Sequence, residues 1–208
     1  RVDMPQSIAQ DLVLPALPAF LARHPGLEIE LSSVDRRVDL VGEGFDCVLR
    51  VGQLAESSLI ARPLGRYRMV NAASPAYLDA MGRPRTLDDL DHHRLVHYVP
   101  GLGGRPDGFE YVDADGTVRS RPMTGALTVN TTAAYSAAAL AGLGLIQVPE
   151  AGIRAHLKSR RLVAVLLRWR AAPMPVSLVY AHRRHLPQRV QVFMSWLAAL
   201  VSPRLQQD

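Results

Sequence analysis

His93 and His97 stand four residues apart, with Asp91 and His92 just before them, and residues of these types ligate metal ions. Four-residue spacing brings side chains together on a helix. Residues 94–98 read as a strand, where the same spacing separates them by about 13 Å. The expectation is therefore surface histidines and no metal site. His182-Arg183-Arg184-His185 reads as a solvated turn. Gly101-Leu102-Gly103-Gly104 lacks the strand-before, helix-after context of a phosphate cradle and reads as a loop. There is no G-x-x-x-x-G-K-[ST] phosphate loop, no G-x-S-x-G nucleophile elbow, and no carboxylate pair arranged as a dyad. Cys47 is the sole cysteine, so neither an internal disulfide nor a Cys-x-x-Cys site is open to it. It sits in the apolar run Phe45-Asp46-Cys47-Val48-Leu49 and reads as a small buried hydrophobe in a reducing compartment. No catalytic residue and no cofactor are expected.

Hydroxyl residues that follow strands and open helices remain: Ser7, Ser33, Thr131 and Thr132. Each fits a plain helix cap. Several converging in an α/β fold would instead line a small-molecule cleft, because ligands bind beyond the carboxyl ends of the strands, where helix N–H groups are free.

The elements that position them follow from periodicity and punctuation. A strand at 1–4 ends at Pro5, and Ser7 with Gln10 forms a capping box. A helical period then runs to His24-Pro25-Gly26, broken or kinked by Pro15 and Pro18. Leu27, Ile29 and Leu31 alternate as a strand, Asp35 caps a short helix at 36–41, and 45–51 is a near-continuous apolar strand. Strands follow at 67–73 and 94–98, separated by Ser74-Pro75 opening a helix and by a short turn of helix at Thr86. Residues 109–113 and 117–121 flank Asp113-Ala114-Asp115-Gly116 as a hairpin. Then come a strand at 126–130, a helix at 131–143, a strand at 145–148, a helix at 150–158, and strands at 162–166 and 176–181. Last is a helix after Pro187 with Val190, Phe193, Met194, Leu197, Leu200 and Val201 on one face. The pattern is α/β in two blocks, without internal repeats.

Length and composition agree with this class. A chain of 208 residues holds one large domain or two small ones and can bury roughly 70% of its unfolded surface without staples. With 48% hydrophobic and 21% charged residues it is neither disordered nor a disulfide scaffold, and no apolar run approaches a membrane span. The start, Arg1-Val2-Asp3-Met4-Pro5, has no apolar signal core and no initiator Met, so the chain reads as part of a longer one. Net charge is +5, which invites a nucleic-acid partner, but residues 71–177 hold 12 basic and 9 acidic groups and the remainder 12 and 10. No face or block concentrates the charge, and specific DNA binding by these residues alone is not expected.

A set of phrases resembles the effector-binding domain of LysR-type transcriptional regulators. They are Pro18-Ala19-Phe20-Leu21-Ala22-Arg23-His24-Pro25, Val38-Asp39-Leu40-Val41-Gly42-Glu43-Gly44-Phe45-Asp46, Leu49-Arg50-Val51-Gly52, Ala73-Ser74-Pro75-Ala76-Tyr77-Leu78, Ala141-Gly142-Leu143-Gly144-Leu145 and Leu186-Pro187-Gln188-Arg189-Val190. Their order spans essentially the whole chain, whereas 100–109 matches nothing in the family. The resemblance implies a type 2 periplasmic-binding-protein fold: two Rossmann-like α/β subdomains, 1–70 with 178–208 and 71–177, joined by two crossing strands. It implies a cytoplasmic, non-enzymatic sensor that binds a small effector between the subdomains, acts as a homodimer or homotetramer, contacts DNA only through a winged helix-turn-helix before Arg1, and touches no membrane. A periplasmic solute-binding protein and an enzyme on the same two-lobed fold are the alternatives. The first helix and the last one are the candidate self-association surfaces.

On that arrangement the effector residues are Ser7, Ser33, Arg50, Gly52 and Gln53 from the first subdomain, and Tyr98, Thr131 and Thr132 from the second, with Gln147 on the outside. Hydroxyls, free N–H groups and one guanidinium favour a small organic anion such as a carboxylate. Arg50 has two readings. Strand alternation puts it on the Val48 face, where it either meets the ligand or pairs with a carboxylate such as Asp39 and holds the fold.

Overall fold

Val2 enters the first sheet by donating its N–H to Glu30 O at 2.9 Å. In the computed structural model, which describes residues 1–54, 58–101, 103–181 and 186–206, strand β1 (Val2–Asp3) lies between two parallel neighbours. These are β2 (Leu31–Ser32) and β3 (Cys47–Val51), in register Val2↔Leu31 and Val2↔Cys47. Both β1 and β2 are shorter than their patterning suggests: the Leu27–Leu31 alternation contributes only its last residue to the ladder. The following strand, β4 (Ile60–Tyr67), lies in a stretch for which no element was expected before Tyr67, and it carries Pro63 and Gly65, residue types that weaken a strand. It forms the sheet edge, where proline need not donate, and its register slips beside Pro63 and Gly65.

Two expectations near the start are corrected. Ser7 is not a cap: helix α1 (Gln6–Ile8) starts from Pro5, whose carbonyl accepts from Ile8 and Ala9 N–H, so Ser7 lies within the first turn. Nor do Pro15 and Pro18 break the helix. A π-helical segment, Ala9–Val13, in which Leu14 N–H reaches Ala9 O, joins α1 to α2 (Leu14–Arg23). The change of register leaves Pro15 in the opening turn of α2, where a missing N–H costs nothing, and Pro18 is carried inside the helix.

No helix forms at 36–41. The Arg50 guanidinium takes the Arg36 and Val38 carbonyls, each at 3.2 Å, that a helix would need for its own bonds. Asp39 accepts from Gly42 N–H instead, and Arg36 makes a two-point pair with Glu43. Ser33 and Asp35 therefore precede a loop.

The chain divides into two compact units, Arg1–Tyr67 with Met174–Asp208, and Arg68–Pro173; the crossings fall three and four residues before the expected boundaries. In the second unit β5 (Met69–Ala73) is wholly buried. Helix α3 (Pro75–Met81) follows, capped as expected by Ser74, whose hydroxyl accepts from Tyr77 N–H at 3.3 Å. A 3-10 turn at Asp88–His92 leads to β6 (His97–Tyr98), shorter than the expected 94–98. The hairpin is observed as β7 (Phe109–Val112) and β8 (Val118–Arg121). Next are β9 (Thr128–Val129) and α4 (Thr132–Leu140), which Thr131 caps. Gly144 then passes so close to Arg94 that a Cβ there would meet its carbonyl oxygen at 2.6 Å, at a φ of +156°. Finally β10 (Ile146–Pro149), α5 (Glu150–Lys158) and β11 (Val163–Val165) complete the unit, with β10 and β11 antiparallel on either side of β5. β6 and β9 run parallel.

The chain re-enters the first unit as β12 (Met174–Tyr180), antiparallel between β3 and β4, giving the sheet order β2-β1-β3-β12-β4. Helix α6 (Gln188–Val201) buries Val190, Phe193, Met194, Leu197 and Val201, while Leu200 is half-buried. Phe20 of α2 stacks on Trp196 of α6 at 4.4 Å between centroids. His182–His185 and Leu102 of the glycine loop lie outside the described residues.

Candidate functional site

In the first unit the parallel strands β1, β2 and β3 end side by side, and the chain beyond them carries Ser7, Ser33, Gly52 and Gln53. Ser7 sits among the helix residues whose N–H groups have no intrahelical acceptor. Ser33 Oγ is buried without a hydrogen-bond partner. Gly52 adopts a φ of +104°, which favours glycine, and donates to Pro175 O at 2.9 Å. Gln53 is exposed, and its carbonyl accepts from Arg37 at 3.4 Å.

Arg50 takes the fold-holding role, with a different partner from the one expected. Its Nη1 stands 3.6 Å from Oδ2 of Asp3, which is fully buried, and its other contacts are the two loop carbonyls. Burial pushes the Asp3 carboxyl above its ordinary range, against the opposing pull of Ser32, the Arg50 charge and the Val34 backbone. Burial likewise pulls the Arg50 guanidinium down, and Asp3 opposes it. The missing information was register: β1 pairs Asp3 with Val48, two residues from Arg50 on the same face.

In the second unit β6 and β9 end at Tyr98 and Val129, and β10, aligned with the segment before β6 through the parallel bridge Leu95–Leu145, ends at Pro149. Three strand ends thus lead into Tyr98, into Thr131 with Thr132 at the head of α4, and into Glu150 at the head of α5. Thr131 Oγ1 accepts from Ala134 N–H at 3.2 Å. Tyr98 leans on Tyr135 at 5.6 Å, and burial pushes the Tyr135 phenol up to about 12.

Gln147 belongs to a different assembly. Its Oε1 accepts from Glu110 N–H at 2.8 Å, and its Nε2 donates to Asn71 Oδ1 at 2.8 Å and Glu110 O at 2.7 Å. The fully buried Asn71 donates onward to Leu166 O and Trp169 O at 3.1 and 2.7 Å. All three polar functions of the Gln147 amide that this geometry uses go to holding the hairpin and the 166–169 turn. Sequence reasoning missed Asp3, Asn71 and Glu110, because each looks like an ordinary strand residue until its neighbours are known.

The histidines are not the surface pair expected. His93 is buried with Nδ1 3.1 Å from Tyr77 Oη, and His97 is half-buried with Nδ1 unpartnered. Burial lowers the affinity of both imidazoles for a proton. Among the described residues no three His, Cys, Asp or Glu side chains cluster as a metal site, and no helix is long and apolar enough to cross a membrane. Cys47 is buried, and desolvation pushes its thiol up to about 12.

Residues 1–202 match the family described as LysR substrate binding domain. The chain is 50% identical over 205 residues to the uncharacterized HTH-type transcriptional regulator YhjC of Escherichia coli K12, covering 99% of this chain and 68% of that protein. It is 30% identical over 198 residues to the transcriptional activator AaeR of the same organism, covering 95% and 63%. It thus spans about two thirds of the length of its curated relatives. Among solved structures, full-length AphB, a Vibrio cholerae virulence activator, superposes with a TM-score of 0.78 at 27% identity, over 96% of this chain and 67% of that one. The regulatory domain of CrgA from Neisseria meningitidis shares the fold at a TM-score of 0.80, 24% identity, and 95% and 96% coverage. The type 2 periplasmic-binding-protein class implied by the phrases is the fold these neighbours share, and the named relatives are regulators, not enzymes. The chain belongs to the LysR substrate-binding domain family, the regulatory domain of LysR-type transcriptional regulators.

Proposed function

We propose that this domain senses a small polar effector in the cytoplasm and so controls transcription by a full-length regulator that reaches DNA through a helix-turn-helix outside these 208 residues. The observation that carries this reading is that, in a transcription-regulator family, each unit by itself carries hydroxyls and helix N–H groups where parallel strands end: Ser7 and Ser33 in the first unit, Tyr98, Thr131 and Thr132 in the second. Strand ends of this kind bind ligands in α/β folds, and N–H groups at a helix start favour an anion. The effector class is therefore a small organic anion. It acts only through its different affinity for the regulator's states. The full-length protein works as a homodimer or homotetramer, since two-fold proteins read two-fold operators.

A thermal-shift screen of the 208-residue chain against small organic acids, amines and neutral polar compounds tests this. Organic acids should dominate the stabilising compounds, with a gain of about 2.7 kcal/mol at a hundredfold excess over Kd. Amines as the sole stabilisers would contradict the effector class.

A further inference from the structure

Arg50 was open to either meeting an anion or holding the fold, and its guanidinium is occupied by Asp3 and two loop carbonyls. A different arginine in the second unit is not. The Nε of Arg170 is buried without an acceptor. A buried N–H of this kind costs free energy unless something supplies the missing oxygen.

The Arg170 segment is held rigidly. Asn71 binds the Leu166 and Trp169 carbonyls, Val112 N–H donates to Arg170 O at 3.0 Å, and Ala172 N–H donates to Glu110 Oε1 at 3.0 Å. Leu166 is held at a φ of +48°, a conformation that an ordinary residue adopts only when its surroundings impose it. The polar network around Gln147 is thus the scaffold that fixes this turn.

Arg68 and Glu150 form an ion pair within electrostatic reach of Arg170. They flank the pair Met69↔Pro149, where β5 starts and β10 ends, with Glu150 N–H on Arg68 O at 2.9 Å and the side chains 3.5 Å apart. Arg170 feels both of them, the Arg68 charge opposing its protonation and Glu150 favouring it. Two guanidiniums and one carboxylate within electrostatic reach of one another sum to a single positive charge.

The geometry points to Arg170, backed by Arg68, as the group that binds the carboxylate of a monoanionic effector. This rests on the effector reading above and names the charge-reading residue within it. The Nε–H with a neighbouring Nη–H forms a fork that matches the two oxygens of a carboxylate. One net charge matches a monoanion better than a phosphate dianion.

Benzoate, its neutral isostere benzamide and inorganic phosphate serve as probes against the 208-residue chain, followed by the Arg170 Nε–H resonance in nitrogen-15 NMR and by calorimetry. Benzoate at millimolar concentration should move that resonance more than phosphate does, and benzamide should leave it in place. Arg170→Lys and Arg170→Met should weaken benzoate binding about tenfold or more while retaining the wild-type circular dichroism. The resonance of the unmodified chain needs no variant, so a variant that fails to fold leaves the test intact. A still resonance under benzoate, equal affinity in a folded Arg170 variant, or a stronger response to phosphate would each overturn the assignment. If an organic acid binds and depends on Thr131 and Thr132 but binds equally well to a folded Arg170 variant, the effector reading stands and the Arg170 assignment falls.

Discussion

At the scale of single residues, Arg50 shows how a side chain suited to binding can be committed to structure. It is 17% exposed, sits against the fully buried Asp3, and anchors the loop carbonyls of Arg36 and Val38. Arg50→Met keeps the bulk of the side chain but leaves the Asp3 carboxylate buried without its cation. Breaking a buried pair costs several kcal/mol, and partial exposure of Arg50 reduces that, so a loss of roughly 2–3 kcal/mol is expected in denaturant unfolding. Loss of effector affinity with unchanged stability would instead return Arg50 to the binding surface. That Arg50 lay on the Val48 face was legible from strand alternation. Which acid faced it was not, because Asp39 is near in sequence whereas Asp3 is brought there by parallel register.

At the scale of elements, local signals carried furthest where local chemistry settles the outcome. Helix α5 occupies the expected 150–158, Ser74 caps α3, Thr131 caps α4, and the Asp113–Gly116 loop joins the two hairpin strands. They failed where a distant partner wins: the Arg50 guanidinium unwinds 36–41, and β12 recruits a proline-containing segment as the edge strand β4. The Tyr77–His93 contact is another such tie, binding α3 to the segment before β6 through Tyr77 Oη, which also accepts from Arg94 N–H at 2.8 Å. Burial favours the neutral imidazole, so the folded state takes up its proton at lower pH than the unfolded chain, whose histidine titrates near 6.5. The stability this contributes is complete above pH 6.5 and is lost as pH falls through the lowered value. His93→Gln should therefore narrow its stability deficit against the wild type on going from pH 7.5 to pH 5, measured by urea unfolding. A deficit that stays constant or widens would contradict a neutral buried His93.

At the scale of the whole molecule, the claim is that an α/β regulatory domain recognises a small effector with groups at its strand ends, Thr131 and Thr132 foremost among them. The fold class was legible because strands and helices alternate in two blocks and the family phrases recur in order. The full site was not, because Arg170 has no motif around it and gains its meaning from the Asn71–Gln147–Glu110 network. The most direct test is calorimetric titration of the Thr131→Ala/Thr132→Ala double variant with the strongest organic acid found in the screen. The lost cap should cost roughly 1 kcal/mol of stability, leaving a folded protein whose affinity is about tenfold weaker or less measurable still. Wild-type affinity in that folded double variant would contradict the account.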